Sequence, residues 1–341
     1  MQAETKANVT PAEIGKVKHK SLYQISFLRA IAAIGVCFFH FSRGTITASS
    51  QSNPVIRTLD YGYLGVDVFF VISGFIICYS LPLSYKLSDF GTFFKKRIIR
   101  VEPPYLASII FTIVVAYFTA YFTHNPVSFS WLNLLYHIGY INNFTTNSYI
   151  NVVYWTLGIE FQFYLIIGLL FSLMNKSIYW LSTIIIIFLA ASFIRVPNTA
   201  LIFEQLPLFC LGILLYFIIY RATFYKPILL VLLAATFVLL ALADITLLLT
   251  GIFVTIIILI PFHKNRIINF FSSISYSLYL VHVPIGGRVI NIAVRYVKTD
   301  LQRYVAMLIA FIVTVVVSYL FHIAIERWTT RLSKKIQYSR A

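Results

Sequence analysis

Arg29 and His40 are two polar residues in the first long apolar run of this sequence. They are eleven positions apart, and at about 100° per residue this spacing returns to within about 20° of the same helical face. We therefore predict that both side chains face the same way, about 16 Å apart along the helix axis. A guanidinium can bind an anion and an imidazole can act as a general base. The alternative is a snorkelling arginine and a hydrogen-bonded core histidine.

Two carboxylates lie in other apolar runs, where a charge costs about 2.5–3.5 kcal/mol on insertion scales. Asp67 belongs to the second run and Glu160 to the fourth, and we expect both at a depth comparable to that of His40. A carboxylate beside an imidazole fixes its tautomer and raises its basicity. The sequence thus predicts a catalytic group of His40, Asp67 and Glu160. Asp67 is the first choice for orienting His40; Glu160 is the second, or it binds a sugar hydroxyl.

The segment between the second and third runs is strongly basic. Arg97 and Arg100 are three positions apart and would share a face of a helix. Guanidinium groups placed in this way could hold the phosphates of a soluble cofactor through bidentate hydrogen bonds. The alternative is a positively charged membrane flank that contacts lipid phosphates.

Further polar residues lie within apolar runs. Tyr279 and His282 belong to the polar stretch 272–282, which suits a wet cavity for an acceptor or polar packing between helices. Ser73 precedes Gly74, and this pair is typical of close helix packing. Ser73 is also a candidate cavity residue or nucleophile.

The elements that must position these residues are membrane spans. Of the 341 residues, 60% are hydrophobic and 11% are charged, against about 45–50% and about 25% in a soluble domain. A water-soluble globule of this size could not bury so much apolar surface, so a soluble fold is excluded. Because a span needs about 20 apolar residues, we predict an all-α polytopic membrane protein with about ten transmembrane helices. The predicted spans are 21–41, 61–81, 101–122, 154–174, 178–194, 201–220, 227–243, 245–262, 267–284 and 304–325.

The distribution of basic residues predicts the orientation. Twenty of the 27 lysines and arginines fall on the side of the N-terminal tail when Arg29 is included. The other seven are Arg43, Arg57, Arg195, Arg288, Arg295, Lys298 and Arg303. By the positive-inside rule both termini are predicted to be cytoplasmic, with a flexible tail at 1–20, a transmembrane domain at 21–326 and a basic tail at 327–341. Membrane orientation then explains the net charge of +16 better than nucleic-acid binding does.

Six fragments in order resemble the acyltransferase-3 family of bacterial membrane O-acyltransferases. They are FLR at 27–29 followed by His40, GVDVFFVISGF at 65–75, KRIIR at 96–100 with PPY at 103–105, YWTLGIE at 154–160 with FY at 163–164, SYSLYLVH at 275–282, and IER at 325–327. The family often has a proline shortly after the last fragment, where this chain has Trp328. Some members carry a soluble esterase-like domain after the membrane part, and none is expected before Ala341.

The resemblance implies a cytoplasmic acyl-CoA donor, usually acetyl-CoA, and transfer to a hydroxyl of a glycan or another acceptor. By the same resemblance, Arg29 and His40 are the paired functional residues of the first span, and Arg97 and Arg100 form the cytoplasmic Arg-x-x-Arg pair. We assign all three arginines to acyl-CoA.

The resulting hypothesis is an O-acetyltransferase of the bacterial inner membrane. Its partners would be acyl-CoA, membrane lipids and a cell-surface glycan such as exopolysaccharide or O-antigen, or the lipid-linked precursor of that glycan. His40 would act as general base or carry a transient acetyl group. No metal and no nucleic acid are expected. The alternatives are acylation of a small molecule, and a transporter or flippase, although repeated halves are absent from the sequence.

Overall fold

The computed structural model describes residues 22–45, 53–124, 127, 130–197, 199–221 and 225–338. Within these residues the chain forms eleven helices, besides a short 3₁₀ turn at Ile141–Phe144. The helices are α1 (Tyr23–Thr45), α2 (Pro54–Ser80), α3 (Leu87–Thr123), α4 (Trp131–Ile138), α5 (Tyr154–Lys176), α6 (Ile178–Ala191), α7 (Ile202–Tyr220), α8 (Lys226–Ala243), α9 (Ile245–Leu259), α10 (266–293) and α11 (Asp300–Lys335). The predicted tail at 1–20 lies outside the described residues.

Most of these helices suit a bilayer. Seven described helices are long and apolar enough to cross a membrane, namely α1, α2, α3, α5, α7, α8 and α11, while α6 and α9 are shorter apolar helices. Large apolar side chains such as Val231, Leu242 and Leu308 are exposed by more than half of their surface. Exposure of an apolar surface of this extent to water would be unfavourable in free energy, whereas contact with lipid tails is not. The predicted all-α polytopic membrane fold is confirmed.

Helix α2 lies between α1 and α7, and glycines permit its close approach to both. A Cβ atom at Gly65 would lie 2.5 Å from the carbonyl oxygen of Ala32 in α1. On the side of α7, a Cβ at Gly74 would lie 2.3 Å from the carbonyl oxygen of Phe209, and one at Gly212 would lie 2.0 Å from that of Val71. The predicted close packing at Gly74 is therefore confirmed.

Helix α3 begins well before the predicted span at 101–122. The basic segment that precedes the predicted span is helical from Phe90 onward, and Pro103 and Pro104 lie inside the helix. Four cationic residues lower the hydropathy of this first part, which explains why it does not read as a span. The helix therefore carries Arg97 and Arg100 on successive turns, and their predicted helical spacing is confirmed.

Two π-helical turns interrupt helices that pack against each other. One, His282–Gly286, lies in α10 between Arg266–Val281 and Gly287–Ala293, and the other, His322–Glu326, lies in α11. Pro284 has no N–H to donate to the carbonyl oxygen of Leu280 four residues earlier. The Nδ2 of Asn151 donates to that oxygen instead, at 3.2 Å.

Helix α11 extends past the predicted boundary at residue 326 and ends at Lys335. Its last turn is attached to the first part of α3. The Ser333 hydroxyl donates to the carbonyl oxygen of Lys96 at 2.9 Å, and the Lys96 Nζ donates to the carbonyl oxygen of Ile336 at 2.7 Å. The end of α11 thus covers the same end of the bundle at which α1 and α3 begin.

The opposite end carries the long connection between α3 and α5. The short helix α4 lies within this connection and ends at Ile138. The Nδ2 of Asn143 donates to the carbonyl oxygens of Trp155 and Ala200, at 2.8 and 2.9 Å. A Cβ atom at Gly158 would lie 2.1 Å from the Asn143 side chain. The connection is therefore closely packed on the start of α5.

Helices α8 and α9 form a tight hairpin at Asp244. Asp244 is the single residue between α8 and α9, and its carboxylate accepts hydrogen bonds from the backbone N–H and the hydroxyl of Thr246, both at 2.7 Å. These two bonds lower the pKa of the Asp244 carboxyl, so that it stays ionised as the N-cap of α9.

Candidate active site

Five charged side chains surround a cavity of about 160 Å³ between α1, α2, α3, α5, α10 and α11. We call it the arginine cavity, and its charged residues are Arg29, Arg97, Arg100, Glu160 and Glu326. Its other lining residues are Ile25, Val66, Phe69, Phe70, Ile72, Ser73, Ile76, Ile77, Val101, Thr156, Leu157, Tyr164, Ser275, Tyr276 and Tyr279. Charges of both signs at this depth are costly unless they bind one another or a ligand.

The arginines are positioned by neutral groups. The Nη2 of Arg29 donates to the Ser275 hydroxyl at 3.0 Å, and the Nη2 of Arg97 donates to the Ser80 hydroxyl at 2.5 Å. The guanidinium of Arg97 also lies 5.5 Å from the ring centroid of Phe93 and 5.7 Å from that of Tyr164. Cation–π contacts of this kind fix a guanidinium while most of its N–H groups stay available.

The two glutamates have partners of their own. Glu160 accepts hydrogen bonds from the Ser73 hydroxyl at 2.7 Å and from the Tyr164 hydroxyl at 2.5 Å. Glu326 accepts from the Ser277 hydroxyl at 2.6 Å and from the Nδ1 of His322 at 3.0 Å. Within the described residues, no ion pair joins either glutamate to an arginine of the cavity. The arginines therefore retain the capacity to bind an anion from outside the chain.

His40 lies outside the cavity lining, beside His282. Their ring centroids are 5.1 Å apart and their planes are tilted by 52°. We call these two residues the histidine pair. Arg29 contacts α10 through Ser275 and His40 contacts the same helix through His282, so the prediction that both face the same way is confirmed.

A wall of side chains separates the cavity from the histidine pair. Phe69 and Tyr279 meet edge to face with their ring centroids 5.9 Å apart. The Tyr279 hydroxyl is paired with the Thr156 hydroxyl at 2.7 Å and also donates to the carbonyl oxygen of Val153 at 3.2 Å. His282 is three residues beyond Tyr279, or about 4.5 Å along the helix axis. The cavity and the histidine pair are thus about one helical turn apart.

Comparison with known proteins agrees with this arrangement. The family described as "Acyltransferase domain", the acyltransferase-3 family, matches residues 22–323, a stretch that includes both the arginine cavity's Arg29, Arg97 and Arg100 and the histidine pair. The chain belongs to this acyltransferase family. The resemblance that the sequence fragments indicated is therefore confirmed.

The individual relatives have low sequence identity to this chain. The chain is similar to the putative acetyltransferase ORF330 of Acidianus two-tailed virus, with 29% identity over 188 residues, covering 52% of this chain and 52% of the viral protein. It is also similar to the O-acetyltransferase OatA of Staphylococcus aureus (strain NCTC 8325 / PS 47), with 30% identity over 161 residues, 42% of this chain and 24% of OatA. The putative peptidoglycan O-acetyltransferase YrhL of Bacillus subtilis (strain 168) is 28% identical over 161 residues, 43% of this chain and 23% of YrhL.

This acyltransferase-family chain thus spans about half of the viral relative and about a quarter of each bacterial one. No solved structure matches it significantly.

The structure corrects the predicted pairing of His40 with a carboxylate in this acyltransferase-family chain. Among the described residues, neither Asp67 nor Glu160 forms a hydrogen bond or an ion pair with His40. Sequence position predicts how deep a residue lies in the membrane, but it does not predict rotation about the helix axis. Gly62 and Gly65 define the face of α2 that packs on α1. Asp67 is two residues from Gly65, about 200° around the helix, so it faces away from α1.

The other predicted site residues of the family member fall into two groups. Glu160 and Ser73 are hydrogen-bonded to each other in the arginine cavity, and Tyr279 forms part of its wall. In this geometry Ser73 is a hydrogen-bond donor to a carboxylate. The fourth, His282, lies beside His40 and outside the cavity lining.

Tyr276 belongs to the polar stretch 272–282 that predicts a wet cavity, and it donates to the carbonyl oxygen of Val101 at 3.0 Å. Two residues of the arginine cavity are not predicted as site residues from the sequence. One is Tyr164, whose hydroxyl binds Glu160; the other is Glu326, at the end of the last predicted span. An ionisable residue at a span end beside apolar neighbours is a signal that could have identified it.

Proposed function

We propose that this chain is a membrane O-acyltransferase that moves an acyl group, most simply acetyl, from acyl-CoA to a hydroxyl of a glycan. The arrangement of two different sites about one helical turn apart supports this proposal most directly. The arginine cavity suits an anionic donor, and the neutral histidine pair suits proton transfer from a hydroxyl. Membership of an acyltransferase family and similarity to proteins named O-acetyltransferases support the same reaction class.

The proposed topology has ten membrane crossings with both termini in the cytoplasm. The seven long apolar helices, the shorter α6 and α9, and α10 supply ten candidates. The excess of lysine and arginine on the side where α1 begins favours this orientation. The mouth of the arginine cavity would then face the compartment that contains acyl-CoA.

Arg29, Arg97 and Arg100 are the proposed ligands of the donor. Guanidinium groups bind phosphate oxygens in a bidentate manner, and charge-assisted hydrogen bonds are about twice as strong as neutral ones. Arg97 and Arg100 would hold phosphates of CoA near the start of α3. Arg29 bonds to Ser275 of α10, and it would contact the acyl-bearing arm or stabilise the charge that develops on the thioester oxygen.

His40 is the proposed general base. The hydroxyl oxygen of the acceptor attacks the thioester carbonyl carbon while the hydroxyl proton passes to His40. The tetrahedral intermediate collapses, the C–S bond breaks, and the proton passes from His40 to the CoA thiolate. This leaves an ester, free CoA and neutral His40. In the second version, His40 itself carries the acyl group before the acceptor arrives.

A glycan or its lipid-linked precursor is the proposed acceptor, and the bacterial inner membrane the proposed location. The similarity to a protein named as a putative peptidoglycan O-acetyltransferase favours a sugar hydroxyl over a small-molecule acceptor. Exopolysaccharide and O-antigen precursors belong to the same chemical class.

Transfer of radiolabelled acetyl from acetyl-CoA tests the proposal. Membranes with the wild type, His40→Ala or His263→Ala would be incubated with lipid-linked and polymeric glycans, and label in glycan would be counted. His263 is an exposed histidine that serves as the matched control. We expect transfer by the wild type and the control and loss in His40→Ala. Equal transfer by all three would remove His40 from the chemistry, and no transfer by any would favour a transporter.

A further inference from the structure

The two ring nitrogens of His282 have different surroundings. Its Nδ1 lies 2.7 Å from the carbonyl oxygen of Tyr279 and 3.2 Å from that of Leu278. A carbonyl oxygen can only accept a hydrogen bond, so Nδ1 carries a proton, and in the neutral ring Nε2 then presents a lone pair. Nε2 is buried and has no hydrogen-bond partner among the described residues. Leaving a buried acceptor without a partner is costly, so the arrangement points to a function for this lone pair.

The nearest imidazole to this lone pair is that of His40. Close approach of α10 to α1 at this level depends on Gly286, where a Cβ atom would lie 2.2 Å from the ring of Phe41. The π-helical turn that begins at His282 also alters the direction of the side chains there, and such turns often occur at functional sites. The backbone of α10 is thus shaped to bring His282 beside His40.

His137 provides a comparison within the same chain. It is also buried, and its Nδ1 likewise lies 2.7 Å from a carbonyl oxygen, that of Asn133. In this case Nε2 accepts a hydrogen bond from the backbone N–H of Ile150 at 3.0 Å. His137 therefore has both ring nitrogens hydrogen-bonded. His282 differs at Nε2 alone.

We propose that His282 is a positioning residue for His40. The two ring centroids are 5.1 Å apart, so a rotation of the imidazole rings would bring a His40 N–H to the Nε2 lone pair, which has no hydrogen-bond partner at the ring orientations of this structure. This inference rests on the proposed function of His40 as the base. The hydrogen bond would hold one His40 nitrogen protonated and leave the other free to receive the proton of the acceptor hydroxyl. His282 therefore takes the place that a carboxylate occupies in other base-activating arrangements.

The protons balance without a further group. The acceptor hydroxyl gives its proton to the free nitrogen of His40, and the resulting imidazolium keeps its other N–H bonded to His282. That bond becomes charge-assisted and therefore stronger when the transition state is reached. His282 keeps its own Nδ1 proton throughout. A neutral acceptor supports the imidazolium without placing a second permanent charge inside the membrane, where charges are costly.

Solid-state ¹⁵N NMR tests the hydrogen bond independently of activity. The full chain, labelled at its seven histidines, would be reconstituted in bilayers. His40→Asn and His282→Asn samples would assign the two rings. We expect a ¹⁵N–¹⁵N coupling through the hydrogen bond between His40 and His282, and an Nδ1-protonated His282. Absence of the coupling, or an Nε2-protonated His282, would overturn the proposal even if the protein transfers acetyl groups.

Two amide variants test the role in turnover. In His282→Asn the amide N–H can still donate to the Tyr279 carbonyl, but no atom occupies the Nε2 position. In His282→Gln the longer side chain can place an acceptor oxygen near that position. We expect kcat to fall about 100-fold in the first variant and less than about tenfold in the second, because general acid–base catalysis contributes about 10²–10⁴-fold. Acetyl-CoA affinity, measured by direct binding, should be unchanged in both.

The outcomes separate this inference from the proposed function. Wild-type kcat in His282→Asn, or equal losses in the Asn and Gln variants with equal thermal stability, would reduce His282 to a packing residue. If the wild type transfers no acetyl at all, the proposed function fails, while the ¹⁵N coupling still decides whether the two histidines are bonded. A His40→Ala/His282→Asn double variant should be no slower than His40→Ala, because the two residues act as one unit.

Discussion

In the arginine cavity, charged side chains are held by serine and tyrosine hydroxyls, whereas the histidine pair one turn away contains no permanently charged group. Arg29, Arg97, Glu160 and Glu326 each bond to a hydroxyl. Pairing them with one another would have neutralised them and left little for a ligand. Hydroxyl partners instead stabilise both signs of charge at moderate cost and leave the arginines available.

The histidine pair follows a different principle. A proton acceptor inside a membrane must exchange charge during each cycle, so a permanent ion beside it would cost free energy in every resting state. Two neutral imidazoles avoid this cost and still offer a donor and an acceptor. Comparison of the two sites supports the proposal that the donor binds in the arginine cavity and that the proton is transferred at the histidine pair.

The largest effect is expected from removal of two cavity arginines. In Arg97→Ala/Arg100→Ala, acetyl-CoA affinity should fall at least about 100-fold, because each hydrogen bond to a charged group contributes about 1.5–3 kcal/mol. The kcat at saturating acetyl-CoA should change little, since the histidine pair is intact. Direct binding of radiolabelled acetyl-CoA and steady-state kinetics would measure both quantities.

The matched control is Lys86→Ala/Lys95→Ala, which removes the same charge from exposed positions nearby. If the control lost as much affinity as the arginine variant, the effect would be one of general charge. If neither lost affinity, Arg97 and Arg100 would be contacts for lipid phosphates, the alternative that their sequence position leaves open.

The second prediction concerns the histidine pair. In Gly286→Ala the added Cβ would meet the Phe41 ring at 2.2 Å and push α10 away from α1 beside His40. We expect kcat to fall between about 10- and 100-fold, since a displacement of about 1 Å from a productive geometry has an effect of this order. Acetyl-CoA affinity should be retained, because the cavity lies one turn away.

Gly287→Ala is the control for this variant, because an added Cβ there meets no atom within 4 Å. It should leave kcat, affinity and thermal stability at wild-type values. Equal kcat in the two variants would mean that close contact between α1 and α10 is irrelevant to turnover.

The third prediction concerns the two carboxylates that the sequence placed beside His40. Glu160→Gln leaves three arginines facing one glutamate, so acetyl-CoA should bind about fivefold more tightly, or about 1 kcal/mol. Asp67→Asn should change neither affinity nor kcat, because Asp67 faces away from α1. Isothermal titration and steady-state rates would distinguish the two variants. Loss of turnover in Asp67→Asn with normal Glu160→Gln would instead restore the pairing predicted from sequence.

These residues illustrate what the sequence can and cannot predict. Arg29 and His40 lie on one helix, so helical geometry alone predicts that they share a face. The position of Asp67 relative to His40 depends on how α2 rotates against α1, and that rotation is set by backbone contacts at Gly62 and Gly65. Spacing along one helix is therefore predictable, whereas orientation between two helices is not.

The π-helical turns limit prediction in a second way. Each widens one turn of its helix, so the 3.6-residue period no longer predicts which side chains face inward beyond it. His282 and Glu326 both lie in such turns. The polar composition of 272–282 predicts a functional stretch, but neither the contact with His40 nor the free Nε2 follows from it. The fold class and the arginine spacing depended on neither turn and were predicted correctly.

The smallest effect is expected at His137, a buried histidine whose two ring nitrogens are both hydrogen-bonded. It is the structural counterpart of His282, whose Nε2 is not. Burial lowers the pKa of His137, so the folded connection holds it neutral. The opened connection binds a proton more readily, so stability should be full at neutral pH and fall as the pH decreases through about 6.5, the usual histidine value. Protonation would also place an N–H at Nε2 against the N–H of Ile150.

Hydrogen exchange of residues 139–153, corrected for intrinsic rates, should therefore quicken at pH 5.5 relative to pH 7.5 in the wild type. In His137→Gln, whose side chain does not titrate, the corrected rates should match at the two pH values. A pH response that persisted in this variant would assign the acid sensitivity to another group and leave His282 without its structural counterpart.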